Sequence, residues 1–249
     1  MVFSEAEREQ FIDQGLVVLR RGFDRGVAEK GRAFLWREIG LSEADPSAWD
    51  KDIIHVQKNF RGPPFERVLN PRLRAAFEEL MGAGRGVLHE AFGWWPVLFP
   101  GFPGPGGWHV DGHFHHHLSS AEQGLVTLYL FSDVGAGDGG TPVVRGSHRV
   151  VAQLLAASEP GGLSAAELAA RLPQPEPSQI VCVEGEAGDV AMLHPFVIHG
   201  FGPNAGTRVR FACNPQYPLR ERMSLERSDG DHSPVEEAIR RAIGLGVRV

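Results

Sequence analysis

Cysteine is scarce in this 249-residue chain, with Cys182 and Cys213 the only two, each inside an apolar run. That count excludes a disulfide-stapled scaffold and predicts two buried free thiols. Long apolar stretches are missing as well: no run approaches the ~20 residues needed to cross a bilayer. Residues 1–8 are charged and lead into no signal-type apolar core, so a reducing, cytoplasmic setting with no membrane contact is expected. A basic excess is also lacking. Lys and Arg number 25 against 31 Asp and Glu, a formal net charge of -6, which argues against nucleic acid as an obligatory partner. A small anionic ligand is still compatible, because one or two local arginines suffice. Internal repeats and low-complexity tracts are absent.

What is present is an ordinary globular balance, 42% hydrophobic and 22% charged, in a length suited to one domain over residues 1–249. The first part, about 1–85, reads as a helical layer. Ser4-Glu5-Ala6-Glu7 fits a capping box, and Gly15 marks the end of that helix. Leu16–Leu19 follows as a short strand, Val27–Ile39 as a second helix stopped by Gly40, and 42–52 as a loop. Ile53–Lys58 alternates as a strand, and Phe65–Met81 is a third helix that Pro71 breaks or restarts.

From Gly86 the texture changes to short Val, Leu, Phe and Trp runs punctuated by Gly and Pro. Strands are predicted over 87–99, 125–132, 141–144, 179–183, 189–193, 196–200 and 207–214. Many short strands with such turns indicate a sandwich or barrel over about 86–215. A helical insertion interrupts it at about 150–175, with Ser164-Ala165-Ala166-Glu167 as a capping box. Ser233, Pro234 and Glu236 start a last helix over about 233–244.

Chemistry concentrates in two places. In Trp108-His109-Val110-Asp111 an extended backbone would project His109 and Asp111 to one face, an imidazole beside a carboxylate. Downstream, residues 188–200 carry His194 and His199, with Arg208 and Arg210 beyond. Two histidines and one carboxylate leave coordination positions open, as iron(II) oxygenases require, whereas zinc more often takes three or four nitrogen or sulfur donors.

These blocks resemble the phytanoyl-CoA dioxygenase family of iron(II)- and 2-oxoglutarate-dependent oxygenases. They occur in the family's order: Phe11-x3-Gly15 with Val17-Val18-Leu19, then His109-x-Asp111, then Gly139–Arg149, then Gly188-Asp189 through His199, Pro203-Asn204 and Arg210. The resemblance implies a mainly β fold with flanking helices, built on a double-stranded β-helix (jelly-roll, cupin-like) core. It implies iron(II) on His109, Asp111 and His199, with 2-oxoglutarate and dioxygen as co-substrates. Arg210, eleven residues after His199, would grip the distal carboxylate of 2-oxoglutarate in preference to Arg208. Tyr129, or Thr127 on the same strand face, would sit beside the co-substrate. Phe201 stands where relatives often have a serine that helps hold that carboxylate. His194 belongs to a position outside the triad.

The run His113-Phe114-His115-His116-His117 lies just after Asp111, which suggests a substrate-facing role for His113 or His115. Trp94 and Trp108 are further candidates for substrate contact, set against the more usual core role of such aromatics. Hydroxylation of a small organic metabolite, with release of succinate and carbon dioxide, is the expected reaction. Desaturation or cyclisation by the same chemistry is an alternative. A zinc hydrolase or a non-catalytic jelly-roll binding module are the competing classes, neither of which needs Arg210. Asp111 argues against halogenation, since related halogenases leave that position to glycine or alanine.

Overall fold

The computed structural model describes residues 1–104 and 106–245. Helix α1 (Glu5–Gln14) starts at the Ser4 capping box and ends at Gly15, whose φ of 77° suits a residue without a β-carbon. A side chain at Gly15 would also strike Val197 and His148, so the glycine lets α1 lie tight against the core. Strand β1 (Leu16–Leu19) follows, then α2 (Arg25–Glu38), which starts earlier than the apolar pattern suggests because Asp24 accepts from Val27 N. The 42–52 loop holds one 3-10 turn at Pro46–Ala48. After β2 (Ile53–Val56), the third helical region splits at Pro71. A 3-10 turn (Phe65–Arg67) precedes α3 (Pro71–Met81), capped by the Asn70 side chain on Leu73 N at 2.9 Å.

The β region comprises β3 (Trp95–Leu98), β4 (Gly106–His109), β5 (Leu125–Leu130) and β6 (Pro142–Val144). Helices α4 (Ser147–Ala156) and α5 (Ala165–Arg171) form the insertion. Then come β7 (Ile180–Cys182), β8 (Val190–Leu193), β9 (His199–Phe201), β10 (Ala212–Cys213), β11 (Gln216–Tyr217) and α6 (Pro234–Ala242), which carries the third capping box. One sheet runs β1-β8-β5-β10, with β11 also paired to β5. A second runs β4-β9-β6-β7, and β2 pairs with β3 apart from both. All these pairings are antiparallel.

Strand alternation sorts the side chains into two layers. Leu16, Val126, Leu128, Ala191 and Leu193 of the larger sheet meet Val143, Val183 and Val197 between the sheets. The opposite face of the larger sheet carries Val17, Leu19, Tyr129, Val190 and Met192 into a core shared with the helices. There Phe65, Phe92, Trp95 and Phe131 are fully buried, each worth about 2–3 kcal/mol of apolar burial. Helix α6 closes the layer against α1, α3 and α4. The result is the expected double-stranded β-helix under a helical coat.

Several sequence readings need correction, the strand expected over 207–214 being reduced to β10 (Ala212–Cys213). The long strand expected over 87–99 shortens to β3, because Trp94 adopts φ 53° and breaks the extended run. The insertion begins at Ser147 and not 150: Gly146 turns the chain, and the Ser147 hydroxyl accepts from Ile198 N at 2.8 Å. Cys182 is exposed on the edge strand β7, whereas Cys213 is buried; both thiols are free.

Candidate active site

The site begins with a register. In the antiparallel pair of β4 and β9, His109 and His199 are direct partners, so their side chains leave the same face side by side. Their ring centroids lie 4.5 Å apart. Asp111, just past the end of β4, turns its carboxylate to both. Oδ1 is 3.2 Å from His109 Nε2, and Oδ2 is 3.6 Å from His199 Nε2. Each imidazole is oriented from behind: His109 Nδ1 bonds to the Gly107 carbonyl, and His199 Nδ1 to the Val197 carbonyl at 3.1 Å. With Nδ1 on a backbone carbonyl, each ring turns Nε2 toward Asp111 and the cavity, the arrangement by which backbone carbonyls commonly fix metal-binding histidines.

The ligand atoms of the three residues lie within 4.8 Å of one another. Asp111 Oδ2 and His199 Nε2 are buried without a hydrogen-bond partner, as donor atoms waiting for an ion would be. Burial opposes the Asp111 charge, but His199 and His109 beside it outweigh burial and hold the carboxyl well below the usual carboxylate range. Burial likewise works against a charged His109, and the Asp111 hydrogen bond overcomes it and raises the ring's pKa. A two-nitrogen, one-carboxylate donor set with an open side fits iron(II).

The triad opens into a cavity of about 920 Å³ whose wall includes Arg210. That side chain is 3% exposed. Its guanidinium donates to Thr141 Oγ1 at 2.7 Å and to the Pro96 carbonyl at 3.2 Å, and its Nε has no partner. Burial lowers its pKa to about 10, so it is still cationic at neutral pH. Arg208 is different: it lies at the surface, paired with Asp138 at 2.6 Å. Of the two arginines weighed in the sequence, Arg210 alone faces the cavity.

The other sequence candidates divide. Trp94, Trp108 and His113 line the cavity. Tyr129 and Thr127 do not, because Leu128 between them takes the cavity-facing side of β5. Tyr129 instead bonds the Tyr217 hydroxyl at 2.6 Å, and Thr127 donates to the Pro215 carbonyl at 2.6 Å, both beneath the helical layer. His115 is also drawn elsewhere, with Nε2 on the Gly161 carbonyl at 2.7 Å. His194 is buried with Nε2 on the Val235 carbonyl, away from the triad. Sequence reasoning assigned no role to Thr141, His55, Asn59 or Arg61, all of which line the cavity. Thr141 lay inside the Gly139–Arg149 block and accepts from the Arg210 guanidinium. Phe201 itself walls the site, its ring 6.4 Å from that of His109.

The family model for phytanoyl-CoA dioxygenase (PhyH) matches residues 9–212. The chain belongs to the phytanoyl-CoA dioxygenase family. It is accordingly a non-haem iron(II)- and 2-oxoglutarate-dependent oxygenase that uses iron(II), 2-oxoglutarate and dioxygen. Among solved structures, this dioxygenase is similar to HygX from Streptomyces hygroscopicus with nickel and 2-oxoglutarate bound. The identity is 16%, the match covers 88% of each chain, and the TM-score is 0.56. It is similar also to AviO1 from Streptomyces viridochromogenes Tue57, at 19% identity over 88% of this chain and 96% of that one, with TM-score 0.55. SnoN, an alpha-ketoglutarate-dependent epimerase from nogalamycin biosynthesis, aligns at 17% identity over 86% of this dioxygenase and 80% of SnoN, TM-score 0.51. At these identities the likeness establishes the fold. No curated protein matches the sequence. Among the described residues no helix is long and apolar enough to cross a membrane.

Proposed function

We propose that His109, Asp111 and His199 hold the iron(II), that Arg210 with Thr141 holds the distal carboxylate of 2-oxoglutarate, and that the enzyme hydroxylates a small organic molecule with release of succinate and carbon dioxide. The observation that carries this reading is the Arg210 guanidinium. It is buried, has no acidic partner among the described residues, and opens into the same cavity as the triad. An unpaired buried cation costs several kcal/mol, a penalty that an incoming carboxylate relieves. Neither a zinc hydrolase nor a simple binding module has use for it.

Iron(II) with 2-oxoglutarate supplies the oxidising chemistry, one atom of dioxygen going to succinate and the other to the product. The protein's part is positional. The carbonyls of Gly107 and Val197 fix the two imidazoles, and Asp111 completes the triad with a side chain where a halogenase would need an empty place. Arg210 aligns the co-substrate before reaction, which is where orientation lowers the barrier. Phe201 replaces a polar group beside His109 and keeps water from that side of the cavity. A small-molecule substrate is supported by the cavity size and by HygX, which has been crystallised with hygromycin B bound.

Anaerobic addition of iron(II) and then 2-oxoglutarate tests the assignment by visible spectroscopy. A weak charge-transfer band is expected with the native protein, and Arg210→Met should shift its appearance to far higher co-substrate concentration. Stoichiometric iron binding with no band at any 2-oxoglutarate concentration would overturn the co-substrate site.

A further inference from the structure

The cavity wall carries a one-sided charge pattern. Among the described residues its only carboxylate belongs to Asp111, already turned to the two histidines, although the whole chain carries an acidic excess. Beyond Arg210 the wall holds a second guanidinium, Arg61. The neighbouring charges are taken, Lys58 by Glu38 and Glu90 by Arg74, and Arg61 makes no ion pair among the described residues. His89, also in the wall, is committed to the Gln216 carbonyl and stacks on Tyr217.

A short ladder places Arg61. Phe60 and Phe92 exchange both backbone hydrogen bonds, at 2.9 and 3.0 Å, and bury their rings against the aromatic core. Alternation then turns Asn59 and Arg61 on one strand, and Ala91 and Gly93 on the other, to the cavity. The two polar side chains thus stand opposite two residues too small to cover them. A β-carbon on Gly93 would fall 1.8 Å from Asn59 Oδ1, so any larger residue there would displace that amide from its present position. Trp94 comes next, held at φ 53° by a hydrogen bond from Asn214 N to its carbonyl at 3.2 Å. It is 51% exposed in the cavity wall, so burial does not repay its backbone strain.

We infer that the substrate is an organic acid with a flat or apolar body, its acid group on Arg61 and Asn59 and its body on the Trp94 ring. An ammonium-bearing molecule finds no free carboxylate in this wall among the described residues. The inference rests on the oxygenase reading for the reaction and names the molecule that reading leaves open.

The test uses the full chain loaded with zinc(II) and saturating 2-oxoglutarate, which occupies Arg210 and prevents turnover. Ligand-observed NMR then compares matched sets of aryl carboxylates, aryl phosphates, the primary amides and the amines. Acids are expected to bind at least ~10-fold more tightly than their amides, the preference being lost in Arg61→Gln. Trp94→Ala should weaken acids and amides together. The carboxylate and phosphate arms decide which acid group is recognised. Amines binding as well as acids, undiminished acid binding by Arg61→Gln, or a panel without any acid binder would each overturn the inference. The anaerobic band, measured on the same two variants with iron(II), must persist. Its loss in either variant would place that residue in the co-substrate site and overturn the inference, whereas a band absent from the native protein as well would count against the co-substrate assignment.

Discussion

Arg210 concentrates the energetics of the site in one side chain, because a cation held by Thr141 and one carbonyl in a dry wall gains most of its compensation from a ligand. Replacing it with methionine keeps the volume and removes both the charge and the fork of donors. Affinity for 2-oxoglutarate, read by titration calorimetry, should fall by about 100-fold, as expected for a buried charge-assisted pair. Thr141→Val should cost about 10-fold, the value of one buried hydrogen bond. Tyr129→Phe separates the family-based reading from the structural one. The Tyr129 hydroxyl meets Tyr217 beneath the helices, so co-substrate affinity should be unchanged while stability drops by about 1 kcal/mol in denaturant unfolding.

At the scale of elements, the cross-strand register of β4 and β9 assembles the triad proposed to hold iron, and the insertion lines the approach to it. Three histidines of the 113–117 run tie the segment after Asp111 to the turn between α4 and α5. His115 reaches the Gly161 carbonyl, His116 pairs its backbone with Leu163, and His117 lies 3.5 Å from Glu159. His116 is fully buried and accepts from Gln123. His115→Ala should leave iron(II) affinity intact and speed amide hydrogen exchange across residues 157–163. Unchanged exchange there would show that the histidines do not anchor the insertion. Helix α5 brings Ala165 and Ala169 to the cavity, so loosening this anchor should raise KM for the organic substrate more than it alters kcat.

At the scale of the molecule, acid sensitivity should trace to a buried histidine pair as well as to the site. His148 and His194 lie 4.9 Å apart between α1, α4 and α6. Burial lowers the His148 pKa to about 4 and pushes that of His194 well below the ordinary range. The unfolded chain therefore takes up a proton near pH 6.5 that the folded chain refuses until about pH 4. Stability is full above 6.5, declines as pH falls through that window, and loses up to about 3 kcal/mol on account of His148. Urea unfolding between pH 7 and 4 should show this slope, and His148→Gln should flatten it.

Local chemistry made much of this fold readable. The three capping boxes, the restart at Pro71 and the turn at Gly15 depend on neighbours a few residues apart, and each appears where the sequence puts it. The pairing of His109 with Asp111 is equally local, a consequence of two-residue alternation near the end of an extended segment. Which distant histidine joins them was not local. His194 and His199 both lie within the same apolar block, and only the register of β9 against β4 brings His199 to the site while His194 turns to α6. The same holds for β5, where the phase of alternation gave the cavity Leu128 and sent Thr127 and Tyr129 to the helical core. Arg61 carried no signal of its own, since its position depends on a single bridge between Phe60 and Phe92. The sequence by itself determined the elements, the family and the near half of the metal site, because those rest on short-range geometry. His199 and Arg210 were named only through the family resemblance; tertiary structure decided that they share one cavity, that Arg210 is buried and which charges line the wall, because each depends on which strands, far apart in the chain, come to lie side by side.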